Sequence, residues 1–321
     1  MKFRTEIRLR PYRATIGYEN RLLSLGSCFA DAVSRRLAAA KFRVAANPSG
    51  VLFNPLSIAA TIESYAAAAS VGREELHTDG ERWFHYDFHG DFAAPTPDEA
   101  LRRMNAARQR GAEALRAADR VMITFGTAWV YEREGLAVAN CHRQPAAQFM
   151  RRRLAVDEIV RRFEELLAGP LSGRRILLTV SPVRHLGDGL EGNAASKAAL
   201  RLAAELLTEQ HPEVEYFPAY EILTDDLRDY RFYADDLVHP APQAVEYVWE
   251  RVVEGLLTER ARQLLPRVEA IAAAAAHRPR NPHGAAHRAF CREQLERIAA
   301  LPEVDFTAEE RYFRQSIEIN S

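Results

Sequence analysis

Apolar positions along this chain fall into two alternating patterns. Short apolar runs of strand length recur at 21–25, 120–125, 175–180 and 214–217, and they predict strands. Between and after them lie stretches rich in alanine, leucine and arginine, with apolar residues three and four apart. These predict helices over 30–41, 56–68, 97–117, 156–168 and 194–209. Thr96-Pro97 marks one helix start, because proline suits the first helical position, where its missing N–H is not needed. A hairpin is expected around Glu134-Gly135, joining 129–133 to 136–140, and the aromatic stretch 82–92 reads as a hairpin or irregular insertion. Arg151-Arg152-Arg153 reads as the solvated start of the helix that follows.

Strands separated by helices favour a largely parallel sheet, since each parallel crossover needs a dozen or more residues. The repeated β-then-α order therefore predicts an α/β sandwich with helices on both faces. Past Pro242 the pattern turns helical over 246–265, 268–276 and 286–301, with Arg278-Pro279-Arg280-Asn281-Pro282 as a linker. Trp249, Val252, Val253 and Leu256 stand at helical spacing and predict a buried ladder. A soft boundary near Leu265 divides a main domain, 1–265, from a helical C-terminal extension, 266–321, that covers the core or builds a homo-oligomer contact.

Composition narrows the class. The 321 residues are enough for a full core, and 47% hydrophobic with 27% charged residues is ordinary for a globular protein. A formal net charge of -1 gives no global field toward nucleic acid or an anionic membrane, so neither is expected as a partner. Cys28, Cys141 and Cys291 are an odd number at wide spacing, which argues against a disulfide framework and suits a reducing compartment. The N-terminal segment carries Lys2, Arg4, Arg8, Arg10 and Arg13 without the apolar core of a secretory signal, and no apolar stretch approaches a membrane span. The cytoplasm is the expected location.

In an α/β sheet, ligands gather beyond the carboxyl ends of the strands. Four segments sit there: Gly26-Ser27-Cys28, Gly126-Thr127, Ser181 to His185, and Asp236 to His239. The first places Ser27 and Cys28 on a tight turn opening a helix, whose dipole favours a thiolate or oxyanion. In the last, Asp236 precedes His239 by three residues, a spacing that lets the carboxylate hold one ring nitrogen while the other faces a nucleophile. Pro240 biases His239 toward extended backbone. His142 and His185, beside Asn140 and Arg184, follow strand-like segments and could bind a substrate carboxylate or phosphate. Asn193, Ser196 and Lys197 read as residues opening and capping a helix. His283, His287 and Cys291 share a helical face, but with no clear fourth ligand they read as a surface stripe and no metal is expected. Neither GxxxxGK[ST] nor GxGxxG occurs, so nucleotide-dependent transfer lacks support and no cofactor is expected.

Leu25-Gly26-Ser27-Cys28-Phe29-Ala30 resembles the signature of the GSCFA domain family. The segments 47–55, 124–129, 138–142 and 181–185 look like further blocks of that family, over roughly 17–254. The family is similar to SGNH or GDSL-type hydrolases, which implies a three-layer, flavodoxin-like α/β/α fold and ester or acyl chemistry. Carried over without a gap, the nucleophile position falls on Cys28, and a one-residue shift would restore Ser27. Gly50 then resembles the second block's oxyanion glycine, with Asn54 as a side-chain donor nearby. The third block falls on Gly126-Thr127-Ala128-Trp129, where the usual asparagine is missing and Thr127, Asn140 or His142 would replace it. Asp236 to His239 matches the last block. The resemblance implies an acyltransferase or esterase acting on a small or carbohydrate-like acyl substrate, with a non-catalytic binding module as the alternative.

Overall fold

The computed structural model describes residues 4–318. Met1, Lys2 and Phe3 of the basic N-terminal segment, and the last three residues of the C-terminal extension, lie outside them. The elements in chain order are β1 (Arg21–Gly26), α1 (Cys28–Ala39), β2 (Arg43–Ala46), α2 (Pro55–Ala66), β3 (His77–Thr78), β4 (Trp83–Phe84), α3 (Pro97–Ala117), β5 (Arg120–Phe125), β6 (Trp129–Arg133), β7 (Leu136–Val138), β8 (Met150–Arg153) and α4 (Val156–Ala168). They continue with β9 (Arg175–Val180), α5 (Gly189–Gln210), β10 (Val214–Tyr216), α6 (Ala219–Glu221), α7 (Pro242–Leu256), α8 (Glu259–Ala276), α9 (Ala285–Ala299) and α10 (Thr307–Glu318).

The central sheet is five-stranded and parallel, in the order β10-β9-β5-β1-β2. This is the flavodoxin-like winding expected of the chain, and it reverses direction between β1 and β5. Alternation along each strand feeds two cores, because successive side chains leave a strand on opposite faces. Leu23, Leu25, Val121, Ile123, Ile176 and Leu178 point into one core with α2, α3, α4 and α5. Leu22, Met122 and Leu177 point into the other, which α1, α7 and α8 cover and to which Cys291 of α9 and Phe313 of α10 contribute. The C-terminal helices thus share a core with the sheet. Leu265, where the sequence suggested a boundary, lies inside α8.

Three sequence expectations need correction. Arg151-Arg152-Arg153 does not start a helix: it lies in β8, which pairs antiparallel with β6, and Arg152 bonds both Glu132 and Glu158. The expected helix 246–265 is two helices. They part at Leu257, which bridges to Ile16, and the Thr258 hydroxyl accepts from Ala261 N–H to cap the second. The helix expected at 194 begins five residues earlier, at Gly189. The stretch 82–92 is as expected: the short β4 closes a hairpin with β3, and irregular chain with a single 3-10 turn follows. The β6–β7 hairpin around Glu134-Gly135 and the buried Trp249, Val252 and Leu256 are as expected. No helix among the described residues is long and apolar enough to cross a membrane.

Candidate active site

In this winding, ligands bind beyond the carboxyl edge of the sheet at the reversal, which falls here between β1 and β5. The β1 strand ends on Gly26 at φ 140, and a side chain there would meet the Thr124 carbonyl of β5. Asn47 locks the turn: its Oδ1 accepts from Gly26 N–H at 2.8 Å, and its Nδ2 donates to Asp31 of α1 at 2.6 Å. Gly26→Ala combines a disallowed backbone with a clash against fixed backbone, so a stability loss of about 3 kcal/mol is expected in denaturant melts. An unchanged midpoint would contradict this account of the turn.

Ser27 and Cys28 then diverge. Ser27 is the N-cap residue of α1, yet its side chain does not cap the helix. It is 1% exposed, and its Oγ has no hydrogen-bond partner among the described residues. Cys28, the first residue of α1, is half-buried and unpaired. Burial pushes its thiol above the ordinary range, and the amide of Phe29 pulls it partway back. At rest Cys28 is therefore a protonated thiol that needs a base.

Asp236 and His239 form the unit their spacing suggested. Asp236 Oδ2 lies 2.7 Å from His239 Nδ1, while its Oδ1 accepts the N–H groups of Val238 and His239, each at 2.9 Å. These bonds, led by the His239 amide, hold the carboxyl down at about 2. Asp236 thus stays ionised and fixes a proton on Nδ1, which leaves Nε2 as the acceptor. The loop is tied to the segment after β9, where Arg184 N–H donates to Val238 O at 3.2 Å.

That same segment carries His185. Its amide donates to Asn193 Oδ1 at 3.0 Å, and its ring meets Phe53 edge-on with centroids 6.2 Å apart. Burial first, and Lys197 second, hold the imidazole down at about 4, with His239 a further contributor. His185 is accordingly neutral at pH 7. Asn193, Ser196 and Lys197 lie within α5 rather than at its start, so helix capping does not describe them.

Lys197 is the residue that the sequence reading undervalued. It is 1% exposed, and its Nζ donates to Gly126 O at 2.6 Å and Ser181 O at 2.7 Å, the carbonyls just past β5 and β9. Burial holds its amine down at about 7, opposed by the nearby Cys28. A side chain on Gly126 would come 3.3 Å from Ser27 Cβ, so this lysine's carbonyl partner packs directly on the nucleophile turn.

Several expected oxyanion donors have other duties. Gly50 N–H donates to Asn47 O at 2.8 Å, and Asn54 caps α2 by accepting from Ser57 N–H. The amides of Gly126 and Thr127 both donate to Phe53 O, and the Thr127 hydroxyl bonds Ser196 Oγ. Asn140 Oδ1 accepts from His142 N–H. The His142 ring stacks on Phe84 at 4.3 Å within an aromatic cluster, and burial holds it down at about 4. Arg184 lays its guanidinium over Tyr233 at 4.2 Å and Tyr230 at 5.4 Å, beside a cavity of about 90 Å³. In the C-terminal helices Cys291 is buried, with Sγ 3.5 Å from His287 Nε2. Among the described residues no group of three or more His, Cys, Asp or Glu side chains could hold a metal.

The GSCFA family model matches residues 21–252, and a second model, GSCFA domain protein, C-terminal domain, matches residues 268–319. No curated protein matches the chain. The first match takes in the β1–α1 turn, the Lys197 cluster and the Asp236–His239 loop, and it spans well over half the sequence, so this chain belongs to the GSCFA family.

Proposed function

We propose that this chain is an acyltransferase or esterase of SGNH-like type, using Cys28 as nucleophile, His239 as base and Asp236 as the group that orients the base. The observation that carries the reading is the Asp236–His239 unit, with its 2.7 Å bond and two supporting amides, on a loop tied through Val238 O to the segment that follows β9, as Ser27-Cys28 follows β1, at the carboxyl ends of the sheet. Accessibility favours Cys28 over Ser27, since substrate can reach a half-buried thiol at the helix start but not a hydroxyl that is 1% exposed.

In the proposed step His239 Nε2 takes the thiol proton and Cys28 Sγ bonds to the acyl carbon. The amides of the first turn of α1 face the developing oxyanion, a role open to them because helix N-terminal N–H groups lack intrahelical partners. As the carbonyl reforms, the alcohol leaves with the proton from His239. The thioester then passes its acyl group to water, an alcohol or an amine. A thioester hands on its acyl group readily, which favours transfer over hydrolysis. The proposed substrate is a small or carbohydrate-like acyl ester, and Arg184, which lines a cavity of about 90 Å³, would meet an anionic group on it.

The test is intact and peptide mass spectrometry after incubation with acyl donors. An acyl adduct on Cys28, absent in Cys28→Ala and kept in Ser27→Ala, is the expected result. An adduct on Ser27, or turnover unchanged in Cys28→Ala, would overturn the assignment. A second reading, ligand binding without turnover, draws support from the committed amides of Gly50, Gly126 and Thr127. Tight binding of an acyl ligand with no adduct and no turnover would select it.

A further inference from the structure

The proposed mechanism leaves a buried amine unused. We propose that Lys197 is the charge partner of the Cys28 thiol, a positioning residue that takes up a proton as the thiol loses one. This deepens the acyl-transfer reading and rests on Cys28 being its nucleophile.

The geometry is a cluster built from distant parts of the chain. Lys197 Nζ is anchored by Gly126 O and Ser181 O, and Gly126 packs on Ser27, the neighbour of Cys28. A neutral amine has two N–H bonds, and both carbonyls are satisfied in that state. The third tetrahedral position then holds a lone pair, and protonation there leaves the two anchoring bonds intact. The lysine can change charge without moving. Two backbone carbonyls hold the amine at 1% exposure, and the salt bridges among the described residues give it no carboxylate partner.

The charged groups around the pair set its direction. Cys28 feels the charge of Lys197, which favours its thiolate, and that of Asp31 on its own helix, which opposes it. Lys197 faces Cys28 from α1 and His185 from the segment after β9, and His185 in turn faces Asp188 and His239. With His185 neutral, a thiolate at Cys28 is the change that favours a proton on Lys197. His239 holds the proton that leaves Sγ, and the proton gained at Nζ comes from solvent, so the thiolate and the ammonium together stay net neutral. A buried thiolate with a counter-charge forms at far lower cost than one without.

Rates of iodoacetamide alkylation, resolved peptide by peptide for Cys28 across a pH series, test this without any acyl turnover. In Lys197→Met, Cys28 alkylation at about pH 8 is expected to slow about tenfold, with the rate rise displaced to higher pH. A profile superimposable on wild type would overturn the proposal. Should Lys197→Met fail to fold, Cys28→Ala decides: by ¹³Cε-lysine NMR the Lys197 midpoint is expected to fall, and an unmoved midpoint overturns the proposal. Lys197-dependent alkylation in a protein that turns over no acyl ester would sustain the pairing while sinking the acyl-transfer reading.

Discussion

His239→Ala is expected to lower kcat/KM for acyl-ester turnover by about 1,000- to 10,000-fold while leaving the melting temperature close to wild type. The chemical loss is large because Cys28 rests as a thiol, pushed up by burial, and the imidazole is the proposed acceptor of its proton. The structural loss is small because the His239 side chain is 50% exposed and contributes to no core. Asp236→Asn separates orientation from charge. An amide at this position keeps an oxygen for the backbone N–H groups of Val238 and His239, but its NH₂ would face Nδ1 and select the wrong tautomer, so a loss of about 100- to 10,000-fold is expected. Turnover in His239→Ala within about threefold of wild type would remove His239 from the mechanism.

Much of this arrangement is written locally. The Asp236–His239 contact spans three residues, so spacing alone announces it. The β1–α1 turn is announced by an apolar run, a glycine and an amphipathic stretch, and α3 by Thr96-Pro97, with the Thr96 hydroxyl accepting from Glu99 N–H. What escaped the sequence reading was set by distant partners. Arg152 lies in a strand because Glu132 and Glu158 meet its guanidinium and β6 pairs with its backbone, contacts that a run of three arginines does not reveal. The four-residue β2 at the sheet's edge, half-exposed and opening on the charged Arg43, lacks a clear period. The break between α7 and α8 depends on Ile16, more than two hundred residues upstream. Lys197 is the extreme case. In sequence it is one lysine in an alanine-rich helix, grouped with Asn193 and Ser196 as opening and capping it, and its burial follows only when carbonyls 71 and 16 residues away converge on it.

That burial has a thermodynamic signature of its own. The Lys197 amine is held down at about 7 in the folded protein, against 10.5 for the ordinary side chain. Between those values the unfolded chain carries a proton on this lysine that the folded chain does not. Unfolding then takes up about one proton, and the stability contributed by this site rises with pH at roughly 1.4 kcal/mol per unit. Below about pH 7 both states are protonated and the contribution is at its least favourable; above the ordinary lysine value the rise ends. Lys197→Met removes the titration while nearly preserving volume. The difference in unfolding free energy between wild type and Lys197→Met is therefore expected to move toward wild type by roughly 1.4 kcal/mol per unit from about pH 7 to 9 in urea melts. Taking the difference cancels the buried tyrosines and the other cysteines, which titrate alike in both proteins. The absolute offset depends on how far the loss of two anchoring bonds to Gly126 O and Ser181 O outweighs relief of the buried amine, but the slope does not. A flat difference over that range would mean that Lys197 keeps its proton when folded, and Cys28 would then lie opposite a permanent cation.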